Sequence, residues 1–273
     1  MKDKISLAGD LGSGKSTVSK ILIPRLSAEY YSTGAIVRSI AEKRGMSVVE
    51  LNVYMEDHPE IDHEIDDGLR ELGGVDKTLV IDSRMAWHFT PGTFKVYLST
   101  DIETSALRIM NANRVGEHSS TLEDTVADTR ARRLSEQKRY MTQYGVDIKD
   151  LSNYSLVVDT TNATPEEVAE CIIEAFGEWQ KDRSYKRTFI SPMRLKYPDE
   201  APDSSEIASL SDLIDEGREI PEVEVVELEG DFYAVGGACS ALAYSFSGRA
   251  LVPATLVKRE VNTSDYVTMK DSI

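Results

Sequence analysis

The chain is poor in cysteine, in long apolar runs and in positive charge, and each shortage excludes a class of protein. Its 273 residues include two cysteines, Cys171 and Cys239, which are too few for a disulfide framework or a cysteine-based metal cluster. No apolar run reaches the roughly 18 residues that a membrane span needs, and the apolar stretch after residues 1–4 is too short for a signal peptide. We therefore expect a soluble protein of a reducing compartment, most simply the cytoplasm, with no membrane partner.

Positive charge is scarce relative to negative charge. The chain has 31 Lys and Arg against 47 Asp and Glu, a formal net charge of −16. This balance argues against a broad electrostatic contact with nucleic acid. Apolar residues make up 41% of the chain, so a substantial core can form. The composition predicts a globular protein without a nucleic-acid partner, and it leaves the oligomeric state open.

One segment near the start has the spacing of a phosphate-binding loop. Residues 9–16 read Gly-Asp-Leu-Gly-Ser-Gly-Lys-Ser, which fits the pattern G-x-x-x-x-G-K-[ST]. An apolar run at 5–8 precedes the loop and a helical pattern at 16–27 follows it, which is the context that this motif requires. Backbone N–H groups of such a loop surround phosphate oxygens, and the helix N-terminus adds partial positive charge. We expect the chain to bind a nucleotide.

The loop assigns a first set of site residues. Lys15 is expected to reach the β- and γ-phosphates of ATP, and the Ser16 hydroxyl is expected to ligate Mg²⁺. Asp82 ends an apolar strand beside the loop and is placed to hold the water shell of the same metal. ATP and Mg²⁺ are therefore the predicted cofactors. The predicted ATP-binding residues are Gly9, Gly12, Ser13, Gly14, Lys15, Ser16 and Thr17.

Strands and helices alternate along the first 180 residues. Short apolar segments separated by helical patterns occur at 5–8, 29–31, 78–81, 94–98 and 156–158. This alternation predicts an α/β fold of the P-loop NTPase type, with a doubly wound five-stranded parallel sheet. The loop and the segments at 33–34, 82–84 and 159–161 all follow strand ends, so we expect them at the carboxyl edge of the sheet.

Two stretches outside the strands are rich in charge. An arginine-rich stretch at 114–139 is predicted to be one long helix. Residues 46–72 are polar and mostly helical in pattern, and we interpret their acids as a solvated helix face. These acids are Glu56, Asp57, Glu60, Asp62, Glu64, Asp66 and Asp67.

Two segments resemble those of a known kinase family. Residues 33–38 read Thr-Gly-Ala-Ile-Val-Arg, and residues 132–139 read Arg-Arg-Leu-Ser-Glu-Gln-Lys-Arg. They resemble the [ST]-G-A-x-x-R turn and the R-D-x-x-D-x-x-R lid of cytidylate kinases, which belong to the nucleoside monophosphate kinases. Residues 144–148, Tyr-Gly-Val-Asp-Ile, are similar to the shorter archaeal-type members. The resemblance covers about residues 1–180 and implies ATP-dependent phosphorylation of CMP and dCMP.

The resemblance also implies roles for individual residues. Arg38 and Arg84 would hold the acceptor phosphate from two sides, Glu136 and Arg139 would read the cytosine edge, and Arg132 would bridge the donor and acceptor phosphates. The residues implied to contact the acceptor nucleotide are Thr33, Arg38, Arg84, Glu136 and Arg139. Lys15, Arg132 and Asp82 form the predicted catalytic set, since positioned cations stabilise the charge of a transferring phosphoryl group.

The chain departs from the family pattern at three positions. Ser83 stands where the family has glycine, Arg133 where the lid usually has an acid, and Glu136 where it has aspartate. Two alternatives therefore stay open: a P-loop kinase for another small acceptor, and a regulatory protein that senses a nucleotide and carries an anion-binding C-terminal module. The intact Lys15 and Asp82 argue against the regulatory protein.

The last third of the chain has a different pattern. We predict a kinase domain at 1–182, a charged linker at 183–188 and a small α+β domain at 189–273. Residues 232–244, with Gly236-Gly237 before a helical pattern, resemble the ParB/sulfiredoxin-like fold, in which a glycine turn opens a helix. The sulfiredoxin turn Gly-Gly-Cys-His-Arg reads Gly-Gly-Ala-Cys-Ser here. We therefore expect Cys239 to be no catalytic nucleophile and the module to be degenerate, with a binding or interaction role.

Overall fold

The computed structural model describes residues 2–112, 121–200 and 202–268. The chain divides into two compact units. The first comprises residues 1–156 and 165–185, and the second comprises residues 157–164 and 186–273. The start of the arginine-rich stretch, including Arg114, lies outside the described residues.

Alternating strands and helices build the first unit. Its strands are β1 (Lys4–Gly9), β2 (Glu29–Ser32), β3 (Leu79–Asp82) and β4 (Phe94–Ser99), and β5 (Leu156–Asp159) begins in it. Its helices are α1 (Lys15–Leu26), α2 (Thr33–Arg44), α3 (Val48–Tyr54), α4 (Pro59–Gly73), α5 (Ala86–Phe89), α6 (Ile102–Asn111), α7 (Leu122–Tyr144) and α8 (Pro165–Lys181). The predicted α/β fold is confirmed.

The strands of the first unit form a parallel sheet in the order β4-β1-β3-β2. β1 and β3 are buried along their whole length, as parallel strands covered on both faces are. The boundary between the two units falls within β5, after Leu156. Just before it, the backbone N–H of Ser155 donates to the carbonyl oxygen of Lys95 in β4 at 2.8 Å. The central strand β1 therefore delivers the glycine loop to the middle of the carboxyl edge.

The helices that border this edge have defined ends. The Ser32 side chain caps α2 by accepting from the backbone N–H of Ala35 at 3.3 Å, and α2 ends at Gly45, whose φ is 66°. Thr121 caps α7 through the N–H of Asp124, and α7 ends at Gly145. A hydroxyl cap at the start and a left-handed glycine at the end are the usual helix limits. These helix limits determine which residues of α2 and α7 lie next to the carboxyl edge of the sheet.

Helix α4 contradicts the prediction that the acids of residues 46–72 lie on a solvated face. Asp62 and Asp66 are 4% and 3% exposed, and they share the inner face with Ile61 and Leu69. The spacing 62, 66 and 69 places these residues on one side of the helix, where Leu69 packs into the core. The prediction holds for Glu64 and Asp67, which are exposed.

The second unit is a mixed sheet with two helices. Its elements are β6 (Arg187–Ile190), β7 (Leu195–Pro198), α9 (Ser204–Asp215), β8 (Val223–Leu228), β9 (Asp231–Gly236), α10 (Ala238–Phe246), β10 (Val252–Leu256) and β11 (Tyr266–Thr268). The strand order is β11-β7-β9-β8-β10-β6, with parallel pairs β7–β9 and β8–β10 and antiparallel pairs elsewhere. Helices α9 and α10 pack against each other.

The division into units differs in two places from the boundaries that the sequence suggests. Strand β6 begins at Arg187, inside the predicted linker 183–188. Residues 157–164 belong to the second unit because Asp159, which is fully buried, accepts hydrogen bonds there from the Ser191 N–H at 3.1 Å and from Arg194 at 3.0 Å. A buried carboxylate needs such partners, and its sequence neighbours do not reveal them.

Among the helices that the structure describes, none is long and apolar enough to cross a membrane.

A close approach of two strands gives the first prediction. Gly9 has a φ of 141°, and a Cβ atom there would lie 2.3 Å from the carbonyl oxygen of Leu98. Gly9→Ala is therefore expected to lower the free energy of unfolding by about 2–4 kcal/mol, from backbone strain and overpacking. Urea unfolding followed by circular dichroism measures this change.

Gly14→Ala is the matched control. Gly14 also has a positive φ, 83°, but a Cβ atom there would meet no described heavy atom within 4 Å. Only the strain of the left-handed conformation remains, which costs about 1 kcal/mol. Equal losses for the two variants would contradict the steric argument.

Candidate functional site

A cleft in the first unit gathers most of the site residues that the sequence predicts. Its walls come from the glycine loop, the starts of α1 and α2, the end of β3 and the middle of α7. The residues of this phosphate-loop cleft are Leu11, Gly12, Ser13, Gly14, Lys15, Ser16, Ser32, Thr33, Gly34, Val37, Arg38, Asn52, Asp82, Ser83, Arg84, Arg132, Glu136, Arg139 and Tyr140. Two of the predicted ATP-binding residues do not line the cleft: Gly9 lines a neighbouring pocket, and Thr17 is exposed on α1.

The glycine loop is closed around the amino group of Lys15. Lys15 Nζ donates to the carbonyl oxygens of Gly9 at 3.0 Å and Asp10 at 2.7 Å. Burial, and secondly repulsion from Arg84, lowers the pKa of Lys15 to about 7. An anion bound in the loop would raise this pKa, because an opposite charge favours the ammonium form. The loop therefore presents a cation whose charge a bound phosphate stabilises.

Ser16 and Asp82 form an oxygen-donor pair next to the loop. Ser16 Oγ donates to Asp82 Oδ2 at 3.3 Å, and the Tyr30 hydroxyl donates to the same oxygen at 2.9 Å. A hydroxyl and a carboxylate are hard ligands that suit Mg²⁺, which usually takes one or two protein oxygens beside phosphate and water. No cluster of three or more His, Cys, Asp or Glu side chains in the described ranges is arranged for a metal. The donor set fits a magnesium ion shared with phosphate oxygens.

Glu136 accepts hydrogen bonds from two of the arginines. Its Oε2 accepts from Arg84 Nε at 2.9 Å, and its Oε1 accepts from Arg132 Nε at 3.1 Å. Burial opposes ionisation of Glu136, but Arg84 and Arg132 together hold its pKa at about 2. Arg84 also donates to the Gly9 carbonyl oxygen at 2.6 Å. Both guanidinium groups are thereby fixed beside the loop.

Arg38 contrasts with these fixed arginines. It lines the cleft from the second turn of α2 and has no hydrogen-bond or ion-pair partner among the described residues. Thr33, one turn earlier, is buried and donates to the backbone oxygen of Asp82 at 3.4 Å. A guanidinium group of this kind in a cleft is suited to a bound phosphate or carboxylate.

Arg139 is the most buried arginine of the cleft. Its side chain is 4% exposed, and Nη1 donates to the backbone oxygen of Asn52 at 3.1 Å and to Asn52 Oδ1 at 3.3 Å. Its Nε lies 2.9 Å from Asp62 Oδ2. Sequence reasoning did not single out Asn52 or Asp62 as site residues. A usable signal for Asp62 was its spacing with Asp66 and Leu69 on one helix face.

A second polar cluster lies behind the loop, where the chain departs from the family pattern. Asp10 is 5% exposed and accepts from the Tyr97 hydroxyl at 2.8 Å and from Lys149. Arg133, which stands where the lid usually has an acid, lies with Nε 3.9 Å from Asp10 Oδ1. Lys149 and Arg133 keep the pKa of Asp10 well below its usual range, although burial alone would raise it. Asp10 thus supplies the counter-charge for Arg133.

In the second unit, Cys239 lies at the start of α10 after Gly237. Burial, and then a hydrogen bond with Glu206, raises the pKa of the Cys239 thiol. Both effects favour the less reactive thiol over the thiolate. The absence of a nucleophilic role stays a prediction.

The first part of the chain is similar to known proteins. Residues 4–162 match the family model described as the cytidylate kinase-like family. A cytidylate kinase of Sulfurisphaera tokodaii is 37% identical over 174 residues, which are 63% of this chain and 93% of that protein. A cytidylate kinase of Thermoplasma volcanium is 33% identical over 196 residues, 70% of this chain and 100% of that protein.

Among solved structures, a sulfiredoxin from Arabidopsis thaliana aligns with 27% of this chain and 85% of its own, with a TM-score of 0.25 and 17% identity. The resemblance of the C-terminal module to that fold therefore stays a prediction.

The match over residues 4–162 includes every kinase-site residue that the sequence predicts, and the archaeal kinases align with the same part over nearly their whole length. The chain is a nucleotide kinase that belongs to the cytidylate kinase-like family.

Proposed function

We propose that the enzyme transfers the γ-phosphoryl group of ATP to CMP and dCMP, producing CDP or dCDP and ADP. One observation carries the proposal: a single cleft holds the phosphate loop and also Arg38, a cation without a partner among the described residues. Such a cleft would bind a donor phosphate at the loop and an acceptor phosphate at Arg38. The cytidylate kinase relatives support the choice of acceptor.

The donor side is formed by the loop. Its backbone N–H groups and Lys15 would hold the β- and γ-phosphates of ATP. Ser16 and Asp82 would hold Mg²⁺, which when bound neutralises charge on the phosphate oxygens. Tyr30, whose hydroxyl donates to Asp82 at 2.9 Å, orients that carboxylate.

The acceptor side is formed by α2 and the end of β3. Arg38 would take the phosphate of CMP, and Arg84 would contact it from the opposite wall. A planar guanidinium group matches phosphate with two parallel N–H donors. Thr33 and Asn52 line the same cleft, where the nucleoside would be placed.

The transfer itself needs charge stabilisation more than a proton shuttle. An oxygen of the CMP phosphate forms the new bond to the γ-phosphorus while the bond to the β–γ bridging oxygen breaks, and ADP leaves with that electron pair. Lys15, Arg84 and Arg132 would stabilise the negative charge on the transferring oxygens. Because both oxygens of Glu136 bind arginines, we propose that Glu136 acts by orienting Arg84 and Arg132.

Acceptor choice is the direct test of the proposal. CMP and dCMP are expected to be better acceptors by kcat/KM than UMP, AMP and GMP, because the resemblance to cytidylate kinases includes both the turn at 33–38 and the lid at 132–139. A coupled assay of ADP production with each nucleotide measures this order. A higher kcat/KM for AMP or GMP would refute the assignment of the acceptor, and no turnover of any nucleotide would refute the kinase mechanism.

Loss of the cleft cations should affect the chemical step. Lys15→Ala and Arg132→Ala are each expected to lower kcat by about 100-fold or more, since each cation acts on the transferring phosphoryl group. Lys20→Ala, on the exposed side of α1, is the control and should keep kcat within about twofold of the wild type. Unchanged kcat in Lys15→Ala would exclude the donor role of the loop lysine.

Loss of the Arg38 side chain should change the KM values of the two substrates differently. Arg38→Ala is expected to raise the KM for CMP by about tenfold or more and to leave the KM for ATP nearly unchanged, because a charged hydrogen bond to the acceptor phosphate is lost. Arg44→Ala, in the exposed last turn of the same helix, serves as control. A larger effect on ATP than on CMP would place Arg38 on the donor side.

A further inference from the structure

The pocket that neighbours the phosphate-loop cleft contains a cation with no role so far. Tyr97 of β4 lines this pocket, and the pocket shares Leu11, Arg84 and Glu136 with the cleft. Arg133 lines the neighbouring pocket but not the cleft. Because Leu11 belongs to the glycine loop, the neighbouring pocket borders the donor side of the cleft.

Asp10, the acid nearest to Arg133, is satisfied without it. Its Oδ1 accepts from the Tyr97 hydroxyl at 2.8 Å and from Lys149, and its Oδ2 accepts from the backbone N–H of Thr100 at 3.1 Å. A buried carboxylate needs hydrogen-bond donors and an opposite charge, and these three groups supply both. Arg133 is therefore a second cation beside an acid that Lys149 already neutralises.

Arg133 has unused hydrogen-bonding capacity. Its Nε lies 3.9 Å from Asp10 Oδ1, which is too far for a hydrogen bond. Its Nε and Nη2 atoms are buried and form no hydrogen bond with any described residue. Buried N–H groups without an acceptor are costly, so a ligand that supplied the acceptor would remove this cost.

The charge of the neighbouring pocket indicates the kind of ligand. Its charged lining residues are three cations, Arg84, Arg133 and Lys149, and two acids, Asp10 and Glu136. The surplus charge is positive and favours an anion. A guanidinium group offers parallel N–H donors that match phosphate oxygens, and the phosphate expected at the glycine loop is that of the donor nucleotide.

The position of Arg133 on α7 separates it from its neighbour Arg132. Successive residues of a helix point about 100° apart, and Arg132 lines the cleft while Arg133 lines the neighbouring pocket. The lid pattern of the family usually has an acid at the position of Arg133. A role of Arg133 in binding phosphate is thus a feature of this chain and does not follow from the family pattern.

We infer that Arg133 is a donor-binding residue, whose Nε and Nη2 N–H groups donate to oxygens of the ATP polyphosphate beside the glycine loop. This inference rests on the proposed function, since it concerns the donor side of the same cleft. Arg132 acts on the transferring phosphoryl group, and Arg133 adds affinity for ATP. Acceptor binding does not involve Arg133.

The test measures the Kd for ATP with Mg²⁺ and without CMP, by isothermal titration calorimetry. Arg133→Met is expected to raise this Kd by about tenfold or more, since hydrogen bonds from a charged group are lost. Arg133→Lys keeps the charge and should lose less affinity. The Kd for CMP should stay within about twofold of the wild type in both variants. Arg130→Met, which removes an exposed arginine of the same helix, is the control and should leave both Kd values within about twofold.

A second background shows whether Arg133 acts on ATP or on Asp10. If Arg133 contacts ATP, Arg133→Met should raise the Kd for ATP by the same factor, within about twofold, in Asp10→Asn as in the wild type. If Arg133 only provides charge for Asp10, the effect should disappear in Asp10→Asn, and the inference is overturned. Should Asp10→Asn not fold, as judged by circular dichroism, the Kd values of Arg133→Met for ATP and for CMP decide by themselves.

The outcomes separate this inference from the proposed function. An unchanged Kd for ATP in Arg133→Met, or an equal loss of affinity for ATP and CMP, overturns the inference even when CMP is phosphorylated. If Arg133→Met loses affinity for ATP alone and the wild type does not phosphorylate CMP, the inference stands and the proposed function fails.

Discussion

The ion pairs of Glu136 with Arg84 and Arg132 are the interaction on which the cleft depends. Lys15, Arg38, Arg84, Arg132 and Arg139 all line one partly buried space, where like charges repel more strongly than in water. Burying such cations is costly unless acids compensate them. Glu136 accepts from two of them and is itself 5% exposed. Its carboxylate allows the positive charge to stay at the carboxyl edge of the sheet before a nucleotide arrives.

The same principle explains the two acids that flank the cleft. Asp62 lies against Arg139 on the acceptor side, and Asp10 lies near Arg133 and Lys149 behind the loop. Arg133 stands where the lid of the family usually has an acid, and the negative charge near it comes instead from Asp10 in the phosphate loop. Each arginine that lines the cleft except Arg38 has an acidic partner in the described ranges. That exception is consistent with Arg38 as the group that binds the acceptor phosphate.

Local sequence patterns were sufficient to predict most of the strands and helices of the first unit. The apolar segments before the loop and before Asp82 are strands, as predicted, because buried parallel strands are continuous apolar runs. Single glycines end both α2 and α7, at Gly45 and Gly145, but α7 continues to Tyr144, beyond the predicted stretch 114–139. The acid-rich composition did not show that Asp62 and Asp66 are buried, because a run of acids has the same composition on an exposed face and on a buried one; only their spacing with Leu69 on one helix face indicated it. The cation beside Asp62 comes from α7, far along the chain, and no local rule reveals it.

The sequence by itself determined the phosphate loop, the parallel α/β unit and the set of residues at its carboxyl edge, since strand ends in a parallel sheet meet at one side. Only the tertiary structure decided what each charged group faces. Both oxygens of Glu136 bind arginines, Arg38 has no partner in the part of the chain that the structure describes, and Asp159 belongs to the second unit through Ser191 and Arg194. The physical reason is that periodicity records how each element is buried, whereas charge pairing depends on side chains that different elements bring together across the fold.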